Sequence, residues 1–126
     1  MTTVCFDFDG VLAEYDEWKD GEIGKPIPEG VVLANGCRAM GYKIVISTCR
    51  THPEHAPGNG YQYRDIRKWL FDNKVPFDHI DLKGKPTADV YVDDRGLYFD
   101  QNMGKNMKGY GSYLMALIAE RVKKNE

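Results

Sequence analysis

Apolar positions along the chain follow two patterns, short continuous runs and longer stripes. Residues 3–8 (TVCFDF) and 43–48 (KIVIST) are continuous, β-prone runs, which predicts strands buried on both faces. Gly10 ends the first run. The stretch 11–28 is polar and broken by Gly21, Gly24, Pro26 and Pro28, so a loop or small hairpin is expected there. From Pro28 onward, Leu33, Cys37 and Met40 recur at i, i+4 and i+7 and predict a helical stripe. Pro28 and Glu29 suit its first turn and Gly41 its end, while Gly30 and Gly36 weigh against it. THPEHAPGNG (51–60) reads as a loop, and Tyr63, Ile66, Trp69 and Leu70 mark one face of a helix over 61–73. DHIDL (78–82) is a weak third strand, DVYVD (89–93) a fourth and LYF (97–99) a short fifth. Residues 100–109 are rich in glycine and asparagine and read as loop. A last helix over 111–124 carries Leu114, Ile118 and Val122 on one side, with Lys123 and Lys124 at its C-terminal end.

Strands alternating with helices, the strands buried, imply an α/β fold: a Rossmann-like parallel sheet flanked by helices. The 126 residues suit a single domain, 1–126, with a real core. Composition narrows the function only a little. Seventeen basic residues against nineteen acidic leave a net charge of -2. That is no electrostatic footprint for duplex nucleic acid. No apolar stretch is long enough to span a membrane, and the N-terminus lacks the basic and apolar regions of a signal peptide. Three cysteines without framework spacing suit free thiols in a reducing, cytoplasmic setting.

Chemistry collects at the strand ends. Asp7 and Asp9 close the first strand, Ser47 and Thr48 the second, Lys83 and Lys85 follow the third, and Asp93 and Asp94 close the fourth. In parallel α/β sheets ligands bind outside the carboxyl ends of the strands, so these groups are expected in one crevice. The carboxylates alone would repel. A hard divalent cation with oxygen ligands resolves this, and Mg²⁺ takes one or two carboxylates plus waters and phosphate oxygens. A lysine and a hydroxyl then suit the remaining phosphate oxygens.

The motifs resemble those of the haloacid dehalogenase superfamily of phosphohydrolases, among its small members without a large cap. DFDG (7–10) resembles the first motif, ISTCR (46–50) the second, and GKPTADVYVDDR (84–95) the third and fourth, over about residues 1–99. The resemblance implies roles. Asp7 would be the nucleophile that forms an aspartyl-phosphate, and Asp9 the general acid and then base. Thr48 would bind phosphate, with Ser47 the less favoured register, and Lys85 would offset charge, with Lys83 the alternative. Asp94, with Asp93 beside it, would hold Mg²⁺ together with Asp7 and the Asp9 carbonyl. Gly10, Cys49 and Arg50 belong to the expected substrate-binding set. Val11 departs from the threonine found in many members, although valine also occurs there.

Other residues keep more than one reading. Cys49, His52 and His55 lie within seven residues of one another and offer part of a zinc site, a plain surface loop, which is the favoured reading, or contacts to substrate beside the crevice. Tyr15 and Trp18 stack on a substrate or pin the hairpin. Arg64 binds a second anion or pairs on the surface. The expected function is a Mg²⁺-dependent phosphomonoesterase acting on a phosphorylated small molecule or a nucleic-acid end, with a neighbouring subunit as one way to close an uncapped crevice. The rivals are a receiver-type phospho-accepting domain, whose acids stand in a different order along the chain, and a non-catalytic phosphate-binding protein.

Overall fold

The computed structural model describes residues 1–51, 60–82, 84 and 86–124. The chain forms two compact units, Met1–Asp94 and Arg95–Glu126. In the first, β1 (Thr3–Asp7) leads through a folded segment to α1 (Pro28–Ala39) and β2 (Lys43–Ser47), followed by a single 3₁₀ turn at Cys49–Thr51. Then come α2 (Gly60–Asp72), β3 (His79–Ile80) and β4 (Val90–Val92). All pairings are parallel, and the strand order is β3-β2-β1-β4. This is the expected α/β architecture.

The two long strands are buried as their apolar runs require. Phe6, Ile44 and Ile46 have no exposed surface, and with Phe8, Ile66, Leu70 and Ile80 they form the heart of the core. Each such side chain contributes about 1.5–3 kcal/mol by burial. The helix over Gly60–Asp72 faces inward as its pattern predicts: Ile66 and Leu70 are buried, and Trp69 packs edge-on against Phe8 at 5.0 Å.

The first helix follows a different register from its apolar stripe. Leu33 is 46% and Met40 67% exposed, whereas Gly30 and Ala34 are buried. The reason is close approach. A Cβ at Gly30 would run into the Val11 carbonyl, so the closest approach is made by small residues, with Val31 and Cys37 packing at its margin and Leu33 and Met40 turned outward. Two further expectations are corrected in the second unit. LYF (97–99) forms no strand; Phe99 instead packs on Tyr110 at 5.4 Å, and Arg121 Nη1 donates to the carbonyls of Arg95 and Gly96. The expected loop 100–109 contains α3 (Gln101–Asn106), because Asp100 accepts from Met103 N at 3.0 Å as an N-cap. The last helix, α4 (Tyr110–Lys124), buries Leu114 and leaves Ile118 and Val122 exposed.

Strand order places the switch point. From β1 the chain moves outward to β2 and β3, then returns to the other side of β1 as β4. The direction of winding reverses between β1 and β4, and crevices form at such a switch point. Among the described residues no helix is long and apolar enough to cross a membrane.

Candidate functional site

Register brings the first acids together. Asp7 is the last residue of β1 and lies opposite Ser47, while Phe6 lies opposite Val92. Asp93 and Asp94 therefore leave β4 beside the end of β1. Beyond Asp7 the backbone turns sharply on a buried anchor. The Phe8 carbonyl accepts from Leu12 N and Ala13 N at 3.0 and 3.1 Å, and Gly10 N donates to Ala13 O at 2.8 Å. Phe8, Leu12 and Ala13 are fully buried, so the core holds this turn. Gly10 has φ +88°, and a Cβ there would occupy the position of the Asp94 carboxylate. Glycine thus admits Asp94 to the site as well as making the turn.

The electrostatic consequence falls on Asp7. Its carboxyl is pushed up to about 6, first by burial, then by the charge of Asp94 and further by Asp9 and Asp93, against the lowering effect of the Phe8 N–H, which donates to it at 3.0 Å. The other three acids of the expected set therefore all act on Asp7. The donors are hard oxygens. Among the described residues no three His, Cys, Asp or Glu side chains form a ready-made metal cage. A cation that keeps most of its waters and takes one or two carboxylates fits such a set, which is the habit of Mg²⁺. Asp7 and Asp94 are the residues that would hold it.

Thr48 is 7% exposed, and its Oγ1 accepts from Arg50 N at 3.2 Å, capping the 3₁₀ turn. Among the described residues its hydroxyl proton meets no acceptor. Cys49 is exposed. Thr51, buried in the same turn, has Oγ1 2.8 Å from the Asp81 carbonyl and so ties the end of β2 to that of β3.

Arg50 differs from its expectation as a substrate-binding group. Its side chain is 2% exposed, and its five N–H donors all meet the chain itself. Nε and Nη2 grip Asp9 Oδ2 and Oδ1 at 2.8 and 3.0 Å. Nη1 reaches Gly21 O at 2.9 Å and Gln62 Oε1 at 3.4 Å, and Nη2 also reaches Glu22 O at 3.0 Å. The Trp18 ring lies over the guanidinium at 5.1 Å, so Trp18 pins the segment after β1, the second of its two readings. Gly21, Glu22 and Gln62 were not foreseeable as partners. They lie 29, 28 and 12 positions from Arg50, and no local pattern links them.

The segment itself is a closed hairpin-like flap. Glu14 N donates to Lys25 O and Ile27 N to Leu12 O, both at 2.8 Å, and Ala13 bridges Pro26. Lys83, Lys85, His52 and His55 lie outside the described residues, and with them the lysine of the third motif and both histidines of the zinc reading.

An α/β protein with a parallel sheet and acids at its switch point is what fold and site together define. Solved structures share that fold. A conserved protein from Bacteroides thetaiotaomicron is similar with a TM-score of 0.57 and 21% identity, over 86% of this chain and 93% of that one. A target protein from Vibrio cholerae is similar with a TM-score of 0.55 and 27% identity, over 79% and 80%. No protein-family profile matches the chain, and no curated protein matches it in sequence.

Proposed function

We propose that the chain is a Mg²⁺-dependent phosphomonoesterase of haloacid dehalogenase type, acting through an aspartyl-phosphate on Asp7. The observation that carries this reading is Asp7 itself: a carboxyl at the switch point, half-buried and pushed up to about 6 by burial and three neighbouring acids. Natural chains rarely hold a carboxyl against both burial and like charge unless it has a use.

In this reading an Asp7 oxygen attacks phosphorus while the bond from phosphorus to the leaving oxygen breaks. Asp9 gives its proton to that oxygen. Water then attacks the phosphorus of the acyl phosphate, Asp9 takes the proton of the water, and the Asp7 carboxylate is regenerated with release of phosphate. The Thr48 hydroxyl donates to a phosphate oxygen, and Lys85 offsets its charge. Bound Mg²⁺ supplies charge neutralisation for the phosphoryl oxygens and for the crowded carboxylates. The substrate class is a phosphorylated small molecule or a nucleic-acid end.

The strand order does not support the receiver-type rival. In that order, 2-1-3-4-5, the third strand is internal. Here β3 is an edge strand, and the Asp81 carboxylate just beyond it accepts from Gly84 N at 2.8 Å. Turnover of p-nitrophenyl phosphate with Mg²⁺, and its loss with EDTA, tests the proposal. No turnover with either that ester or a panel of phosphorylated metabolites and 3′- or 5′-phosphorylated oligonucleotides would refute it.

A further inference from the structure

Arg50 stands between two things that a phosphatase must coordinate, the flap and Asp9. Its guanidinium is buried, yet it contacts three separate parts of the fold: the turn after β1 through Asp9, the flap through Gly21 and Glu22, and α2 through Gln62. The Gln62 amide is itself oriented, since its Nε2 donates to Asp65 Oδ2 at 3.3 Å. On the flap side the backbone passes through the left-handed region at Asp20 (φ 52°) and Gly21 (φ 82°), and Glu22 N donates to Lys19 O at 3.0 Å. That tight turn aims two successive carbonyls at one guanidinium. Trp18 covers the same group from above.

We propose that Arg50 is a positioning residue that couples seating of the flap to the aim of Asp9, so that proton delivery to the leaving group depends on a closed flap. The proposal rests on the phosphatase reading above. A two-pronged guanidinium–carboxylate bond fixes the plane of the carboxylate as well as its position. Each Asp9 oxygen keeps a further lone-pair direction, and the Asp9 side chain is 20% exposed, so one edge stays open for transfer. Lysine cannot reproduce this, because one ammonium cannot grip two carboxylate oxygens in a plane and two backbone carbonyls at once.

The test compares wild type with Arg50→Lys and Arg50→Gln. The quantity is kcat/KM with Mg²⁺ for p-nitrophenyl phosphate, whose leaving group needs little protonation, and for glycerol phosphate, whose leaving group needs it fully. General acid catalysis is worth about 10²–10⁴-fold. Both variants should therefore lose roughly a hundredfold or more on the alkyl ester and less than about tenfold on the aryl ester. Equal losses on the two esters would overturn the positioning role. A second measurement needs no turnover. Native trypsin cleavage at Lys19 should rise several-fold in Arg50→Gln and also in Asp9→Asn, whose side chain reaches the flap through Arg50. Unchanged cleavage in Asp9→Asn would overturn the coupling even with Arg50→Gln misfolded. If wild type hydrolyses neither ester, the phosphatase reading fails and the proton-delivery half falls with it. The cleavage comparison still decides whether Asp9 and the flap are linked.

Discussion

The two edges of the one sheet use aspartate in opposite ways. At the amino-terminal edge, Asp78 precedes β3 and Asp89 precedes β4. Each backbone N–H donates to the neighbouring strand, Asp78 to Ile44 O and Asp89 to Thr3 O, both at 2.9 Å. Each carboxylate then accepts from the N–H of that same residue, at 2.8 and 2.7 Å. The side chain supplies the next bond of a ladder that the strand is too short to continue. The Ile44 N–H, acting against burial and aided by Arg38 and Lys43, holds the Asp78 carboxyl below the usual range. At the carboxyl-terminal edge, Asp7, Asp9, Asp93 and Asp94 crowd together, and Asp7 is pushed up instead. Carboxylates at one edge complete the fold. At the other, Arg50 grips Asp9 while Asp7 is held against its charge, as expected of a group kept for chemistry at the expense of stability.

Substitutions at the two edges should therefore separate cleanly. The largest effect expected is on turnover. Asp7→Asn keeps the shape but removes the nucleophile, so p-nitrophenyl phosphate hydrolysis should fall on the order of a hundredfold or more with an unchanged circular dichroism spectrum. Activity above a few per cent of wild type would remove Asp7 from the central role. Next comes Gly10→Ala. It combines a left-handed φ with a side chain in the place of the Asp94 carboxylate, so a loss of about 2 kcal/mol in urea unfolding is expected. Asp78→Ala should cost somewhat less, about 1–2 kcal/mol, by leaving the Ile44 N–H without its partner. Its pH dependence has a definite sign. The Asp78 carboxyl is lowered on folding, so its stabilisation is present above its ordinary value of 3.8 and is lost as pH falls through the lower folded value. A wild-type minus Asp78→Ala difference that persists unchanged into strong acid would contradict the ladder role.

The sheet was largely legible because buried parallel strands appear as continuous apolar runs, and KIVIS and TVCFD have little else they could form. The gathering of the acids was legible because they sit at strand ends. Contacts decided by close packing were hidden. Of the stripe, Cys37 packs on the core but Leu33 and Met40 gave way to Gly30 and Ala34, since helical periodicity says which residues share a face but not how near the neighbouring backbone comes. The helix Gln101–Asn106 was obscured because its glycine and asparagines outweighed the single capping signal of Asp100. Arg50 was recognised as belonging to the site but not in its manner, because its partners come from distant parts of the chain. A motif can place a residue at a crevice without saying which way its donors point.

The smallest effect is the most direct test of the contrast between the edges: the melting temperature of Asp7→Asn against wild type, with and without Mg²⁺. The folded Asp7 carboxyl lies near 6 against 3.8 for an ordinary aspartate. Its contribution to stability is therefore fully present below pH 3.8 and is lost as pH rises through about 6. At pH 7.5 without divalent cation, the uncharged asparagine should stabilise the protein. After discounting for partial exposure the gain is about 1 kcal/mol, a rise of a few degrees. Mg²⁺ should raise the wild-type melting temperature and narrow the gap, and the gap should vanish at pH 3.5. An asparagine variant that melts below wild type at pH 7.5, or a gap indifferent to both pH and Mg²⁺, would contradict the account.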